Sequence, residues 1–557
     1  MSSNLWSRIG LGLLCLGALC SPLRAADPAP AGAQPIHDPI ALAAVIDRYI
    51  DEGAAAHKAT PAPIADDYEF VRRVYLDLTG RIPRRFDIET FLKNTSPNRR
   101  AELVDDLLES PQYVNHMTHV YRTLLLPQNN NPQVQALAPA MEQWLRKQFL
   151  ANTPYNDMVH DLLTTNVVQN QAMQQQQLLA RGAPPAGGIT GIAYFQANEL
   201  KPENLAASSS RLFLGVKLEC AQCHDSKFDK WTRKQFWAYA AFFSGIGPQT
   251  PPQPGDDADV SQATDAAHNH VIKMPGSDKP IQARFLDGKQ PEWKDDVPTR
   301  EVLADWVVSP SNPYFAPNAA NRVWAHLFGI GIVDPPDDFR ADNAPSHPEL
   351  LNVLAQAFVD NKYDLKFLIR AITASKAYQR TSGVEGKADD PRLFTRMSVK
   401  GLTAEQLYDS LGIATRFKDD DGNDPNAFVN PFGGGGTRQE FLARFSNSAD
   451  KRTEATTSIL QALALMNGRI TGDTTSAILK SEQNNATLAA ACDSPWLDVH
   501  QKLDWLYLSA LGRPMRPAEA ERMIKYVEKG GPSGDQNKAL ADVFWVLLNG
   551  SEFIFNH

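Results

Sequence analysis

The residues best equipped for chemistry in this 557-residue chain lie in Leu218-Glu219-Cys220-Ala221-Gln222-Cys223-His224-Asp225. Two thiols separated by two residues and followed at once by an imidazole form the pattern of covalent c-type haem attachment. Each thiol can add to one haem vinyl group, and the imidazole of His224 then reaches the iron as proximal metal ligand. Two other readings stay open. An oxidising compartment would close an unmodified Cys220–Cys223 pair into a disulfide, structural or redox. A zinc or other metal site would take three ligands from Cys220, Cys223 and His224, with no obvious fourth nearby in sequence. The added histidine and the export signal described next favour haem c.

A six-coordinate haem also needs a distal ligand, usually Met or His. Met274, in Lys273-Met274-Pro275, is the first candidate, and His268 and His270 are the alternatives. The plain structural alternative is a methionine filling a strand face and two histidines in a solvated loop. If none coordinates, the iron is five-coordinate and open to small ligands.

The compartment follows from the N-terminus. Met1–Arg8 carries one Arg and no acid, 9–20 is a short apolar run, and Leu23-Arg24-Ala25-Ala26 offers small residues for cleavage. That is a secretory signal peptide, and its apolar run is too short to span a bilayer comfortably. A retained anchor is the competing interpretation. Cys15 and Cys20 leave with the signal, so Cys220, Cys223 and Cys492 remain, too few for a disulfide scaffold. The chain is expected to be exported to the periplasm or cell envelope, with no integral membrane span after cleavage. A net charge of −9 and a pI near 5.8 argue against a nucleic-acid partner, because phosphate binding wants a basic face.

Other clusters invite chemistry less strongly. His116 and His119 share a predicted helix with Met117 and could hold a metal at i, i+3 spacing, although surface histidines explain them more simply. Asp419-Asp420-Asp421-Gly422-Asn423-Asp424 has its glycine misplaced for an EF-hand loop, and the run Gly433–Gly436 lacks the Lys-Ser/Thr of a phosphate loop. Both read as turns. Asn321, Arg322, Asp338 and His347 sit in a stretch dense in functional residue types and could line a polar pocket. The simpler account is an interhelical corner in which Arg322 pairs with Asp338 and Asn321 satisfies backbone groups.

The elements that must position these residues are mainly α. Helical apolar spacing is read at Leu42–Ile50, Tyr68–Leu78 with Gly80 as its stop, and Leu103–Leu108. Thr232 and Gln235 form a capping box, flanked by a Trp231–Phe236 staple, for a short aromatic helix just after the cysteines. Further helices are expected at 300–308, 348–359, 365–374, 458–466, 503–511, 518–527 and 539–548, with capping boxes Ser346/Glu349 and Thr403/Gln406. The predicted organisation is a signal peptide (1–26), a flexible leader (27–37), a helical domain carrying the cysteines (38–246), an irregular linker with short strands at 271–274 and 283–286 (247–298), and a second helical domain (299–557).

With these residues in view, the chain resembles a two-part family of exported proteins of unknown function, best known from planctomycetes. The planctomycete cytochrome-type (PSCyt) part is carried by Phe70-Val71-Arg72-Arg73-Val74-Tyr75-Leu76-Asp77-Leu78-Thr79-Gly80-Arg81-Ile82-Pro83, by Lys201–Ala206 and by Cys220–Trp231. The planctomycete-specific (PSD) part is carried by Arg300–Trp306, Asn321–Gly331, Pro345–Leu351 and Ala377-Tyr378-Gln379-Arg380. The resemblance implies a cytochrome-like, haem-bearing exported protein, often encoded beside a sulfatase-like partner, whose biochemical activity is unsettled. The family frequently has His where this chain has Ser226. Three functions are therefore expected in order: electron transfer with a redox partner, a non-catalytic envelope scaffold stapled by Cys220–Cys223, and an extracytoplasmic enzyme using the Asn321, Arg322, Asp338 and His347 pocket.

Overall fold

The computed structural model describes residues 34–126, 132–167, 191–227, 229–246, 268–383, 390–416 and 486–557, with Arg438, Phe441, Leu442 and Phe445. The signal peptide, most of the leader, Asp419–Asp424, Gly433–Gly436 and the helix expected at 458–466 lie outside the described residues. Helices dominate, as the periodicity requires. Asp38 caps α1 (Pro39–Ala56) by accepting from the amides of Ile40 and Ala41, and Asp66 caps α2 (Asp67–Thr79) through Glu69 N–H. Gly80 ends α2 in the left-handed conformation at φ 72°, where a residue without Cβ is cheapest. A Cβ there would also fall 2.4 Å from His116 Nδ1.

The first region continues through α3 (Arg85–Lys93), α4 (Arg99–Leu108), α5 (Pro111–Leu125), α6 (Pro132–Leu150), α7 (Tyr155–Thr164), α8 (Ile192–Ala197), α9 (Pro202–Leu214) and α10 (Arg233–Ala240). A hairpin of β1 (Val271–Lys273) and β2 (Pro280–Gln282) follows, with Val271 opposite Gln282 and Lys273 opposite Pro280. The second strand was expected at 283–286 and lies earlier, because Gly276 at φ 76° closes the turn tightly. Ala283 instead donates its amide to His270 O, and Phe285 leaves the hairpin to stack on Phe242 and Trp306.

Beyond the hairpin come α11 (Thr299–Val308), α12 (Phe315–Phe328), α13 (Pro348–Asp360), α14 (Leu365–Ala374) and α15 (Lys376–Gln379). The start of α13 differs from expectation. His347, not Ser346, is its N-cap, with no side-chain cap bond, since Ser346 Oγ is spent on His347 Nδ1 at 3.0 Å. The chain then forms β3 (Lys400–Gly401), α16 (Ala404–Thr415), α17 (Ala486–Cys492), α18 (Val499–Leu511), α19 (Pro517–Glu528), α20 (Gln536–Asn549), α21 (Ser551–Ile554) and β4 (Phe555–Asn556), which pairs with β3.

Two hydrophobic cores result. The first runs from Leu42 to Met397, so α11 to α15 pack back onto α1, α7 and α9. The second gathers Leu402 to Phe553 and takes in Leu76 and Ile82 from the end of α2. Helix α2 is thus shared by both, and its polar face carries the joint. Asp77 and Lys400 are both 0 % exposed and paired, with Nζ at 2.6 and 2.8 Å from the two carboxylate oxygens. Tyr378 OH and Asn556 Nδ2 also donate to Asp77, and Lys400 donates to Leu327 O. On the preceding turn, Arg72 donates to the carbonyls of Ala510, Glu552 and Phe553, and Arg73 to those of Tyr378 and His557 and to Glu69.

Removing one member of a fully buried ion pair strands the other charge, at a cost of about 3–5 kcal/mol. Lys400→Met is therefore expected to destabilise the protein by about that amount, and Asp77→Leu/Lys400→Met by clearly less than the sum of the single changes. Urea unfolding of the three variants measures both; additive losses would contradict the coupling.

Candidate functional site

Helix α9 ends at Leu214, and Gly215 turns the chain at φ 66°. A Cβ at Gly215 would strike Phe339 at 2.5 Å and Asn318 at 2.9 Å, so this turn is fixed by close packing. Val216 and Leu218 then enter the core, and Glu219–Gln222 forms a single 3₁₀ turn. In that turn Ala221 points inward, while the free thiols of Cys220 and Cys223 are both exposed. His224 is exposed too, its Nδ1 lying 2.9 Å from Asp225 O. A carbonyl only accepts, so Nδ1 carries the proton and Nε2 keeps its lone pair, as a metal-binding imidazole requires.

The turn is pinned from α10. Arg233 donates from its amide to Asp225 Oδ1 (2.7 Å), from Nε to Gln222 O (3.4 Å) and from a terminal nitrogen to Pro275 O (2.6 Å). Trp237 Nε1 donates to the same Gln222 O. The Thr232/Gln235 capping box forms as read from the sequence. Ser226 N–H closes the intervening loop on Trp231 O. The rings of Phe236, Trp237 and Phe243 are packed in the first core.

Arg233 also decides where the expected distal candidates stand. By holding Pro275 O it brings the β1–β2 turn, and Met274 within it, against the motif; Met274 itself is half-buried on the first core. His270 is stacked on Trp293 at 4.2 Å between ring centroids, with Nδ1 3.0 Å from His268 O. His268 is half-buried beside it.

The four residues expected to line a pocket separate. Asn321 is fully buried and holds Val333 by both its amide and its carbonyl, the backbone-satisfying role. Arg322 donates to Leu212 O and Arg211 O at the C-terminus of α9, and burial lowers its pKa. The anticipated Arg322–Asp338 pair is not formed: the helix-end carbonyls take the guanidinium, and Asp338 pairs with Arg340 at 2.6 Å and Lys217 at 3.7 Å. His347 lies apart, against Gly53 and the Phe394 ring, with its pKa lowered by burial.

Adjoining the cysteines through Glu219 is a charge cluster that sequence reasoning missed. Arg211 bridges Glu219 and Asp337, each at 3.4 Å, and Lys217 also pairs with Asp337. Burial raises the Glu219 carboxyl above its usual range, although Arg211 opposes this. At Asp337 burial pushes upward as well, but Arg322, Lys217 and Arg211 outweigh it and leave the group below its usual value. No local motif announces the pairs to Asp337, which join residues more than a hundred positions apart.

Of the α5 histidines, His116 is buried and His119 half-buried. His116 is 8 % exposed and packs against His326 at 5.6 Å between ring centroids. Burial, reinforced by Arg438 and Arg122 against Glu405, pushes His119 down to about 4. Among the described residues no group of three or more His, Cys, Asp or Glu is placed to hold a metal ion. Elsewhere a cleft of about 920 Å³ opens between α1, α2, α4 and α14; its arginines are engaged, Arg99 and Arg100 with Asp67 and Arg370 with Asp105.

Geometry and sequence motif meet in the family comparison. Residues 45–247 match the PSCyt2 family, described as a protein of unknown function (DUF1549), and residues 299–434 match the PSD1 family, likewise a protein of unknown function (DUF1553). The chain belongs to these two families, in that order. No curated protein and no solved structure matches it.

Two outcomes follow from this geometry. Arg233→Ala is expected to raise amide hydrogen exchange in 218–226 and 271–282 together, with the far core unchanged; a rise in only one segment would refute the shared clamp. The His119 pKa falls on folding, so between about pH 6.5 and about 4 the unfolded chain binds the extra proton. Stability is then full above pH 6.5 and declines as pH drops through that window. His119→Gln should flatten that part of the unfolding free-energy profile, and an unaltered slope would remove His119 as its cause.

Proposed function

We propose that this chain is an exported cytochrome-like protein that carries one c-type haem on Cys220 and Cys223 and passes electrons to or from a redox partner protein. The observation that carries the reading is the single exposed turn bearing both thiols beside His224, whose Nδ1 is held by Asp225 O so that Nε2 presents a lone pair. When bound, the haem supplies one-electron chemistry through its iron. The chain's own part is to present two nucleophilic thiols in register, to fix the imidazole tautomer and to keep the turn still. Arg233, Trp237 and the Thr232/Gln235 cap do the last of these. Met274, on the hairpin clamped by Arg233, would be the second side chain to hold the group, since His270 is committed to its stack with Trp293. Export rests on the N-terminal signal sequence, and among the described residues no helix is long and apolar enough to cross a membrane.

The test is expression of the full chain with haem-attachment machinery in an oxidising compartment. The expected result is a pyridine haemochrome band that survives denaturation and an intact mass raised by one haem. Both should vanish in Cys220→Ala/Cys223→Ala while far-ultraviolet circular dichroism is kept. A chain without haem whose two thiols resist alkylation until reduced would replace this reading with the disulfide-stapled envelope scaffold.

A further inference from the structure

The surface around the cysteine turn has a charge opposite to that of the chain. The protein as a whole carries −9. Yet 227–234 brings Lys227, Lys230, Arg233 and Lys234 directly after the motif, and the hairpin that Arg233 ties to it adds Lys273 and Lys279. All five lysines are exposed. Among the described residues none of them has an ion-pair partner, although lysines elsewhere, such as Lys201, Lys217 and Lys366, are paired.

The acids in the same region offset only part of this charge: Asp225, Asp229 and Asp278 stand against Lys227, Lys230, Arg233, Lys234, Lys273 and Lys279. Asp225 accepts from the Arg233 amide and Asp229 from the Lys230 amide, so both carboxylates serve the turns. Glu219 pairs with Arg211. Lys230 lies 4.9 Å from the centre of the Trp231 ring. A net positive charge therefore remains, carried by exposed ammonium groups on the two segments that adjoin Cys220, Cys223 and His224, a basic rim to the motif.

We propose that this basic rim is a docking surface for the acidic face of a partner protein, bringing that partner to the cysteine turn. A patch of this sign on a chain of the opposite net charge selects for short range. At physiological salt, exposed charges are screened beyond about 8 Å, so the rim attracts a compact acidic patch. An extended anionic polymer or a lipid surface would also meet the negative remainder of the chain. The binding does not depend on haem, so the proposal stands or falls separately from the electron-transfer reading.

The experiment titrates the full chain against a flavodoxin, a small acidic electron-transfer protein, by calorimetry at low and physiological salt. Phosphatidylglycerol vesicles and heparin serve as parallel probes. The expected result is flavodoxin binding that weakens with salt, and weakens by about tenfold or more in Lys227→Glu/Lys230→Glu/Lys234→Glu. Lys273→Glu/Lys279→Glu should show the same direction of change. Lys93→Glu/Lys147→Glu/Lys529→Glu, with the same change in net charge away from the rim, should bind as the parent does. Equal weakening in that control, no flavodoxin binding, or a charge-reversal loss seen only with vesicles or heparin would overturn the proposal.

Discussion

The buried Asp77–Lys400 pair is the constraint on which the rest of the structure depends. A carboxylate and an ammonium in a site that admits no water hold each other only if their remaining hydrogen-bonding capacity is met. Here it is: Tyr378 and Asn556 complete the carboxylate, and Leu327 O accepts a hydrogen bond from the ammonium. The partners of Asp77 come from α15, β3 and β4, and Lys400 adds α12, so satisfying this one pair ties α2 to four distant segments. Arg72 and Arg73 extend the same arrangement to the last turns of the chain. The long α2 motif that carries the family resemblance thus has a part in assembly.

The cysteine turn obeys a different logic. Its inward residues, Val216, Leu218 and Ala221, belong to the first core, while the reactive side chains stand outside it. Rigidity is delivered by polar contacts from α10 to the backbone carbonyls of Gln222 and Pro275 and to the Asp225 carboxylate. Backbone is held and side chains are left accessible, an arrangement suited to residues that must be modified after folding or meet a partner. The Arg211, Lys217, Glu219 and Asp337 cluster adjoins it through Glu219, so charge introduced at the turn would be felt by groups whose protonation is already biased.

What could be read in the sequence was what local chemistry determines. The helix at Leu365–Ala374, the Gly80 stop and the capping boxes at Thr232 and Thr403 all follow from neighbours within a few residues. The cysteine motif was equally plain. The failures are competitions that spacing cannot arbitrate. Ser346 had two acceptable partners and took the imidazole next to it. Arg322 and Asp338 looked paired because they are close in sequence, but the carbonyls at the end of α9 were better placed for the guanidinium. Asp77 gave no warning at all, since a lone acid on an apolar helix looks like a solvated position until its partner, 323 residues away, is known.

That separation bears on how the protein comes to be folded. The Asp77 carboxylate emerges during synthesis long before Lys400 and Asn556, whose bonds to it span 323 and 479 residues. Until both arrive, burying α2 would trap an unpaired charge, so the early helices have a reason to remain loosely collapsed. Consolidation is delayed to the end of the chain, and topologies dominated by such distant pairings assemble slowly. The native burial of α2 is therefore completed only by residues from the last part of the chain.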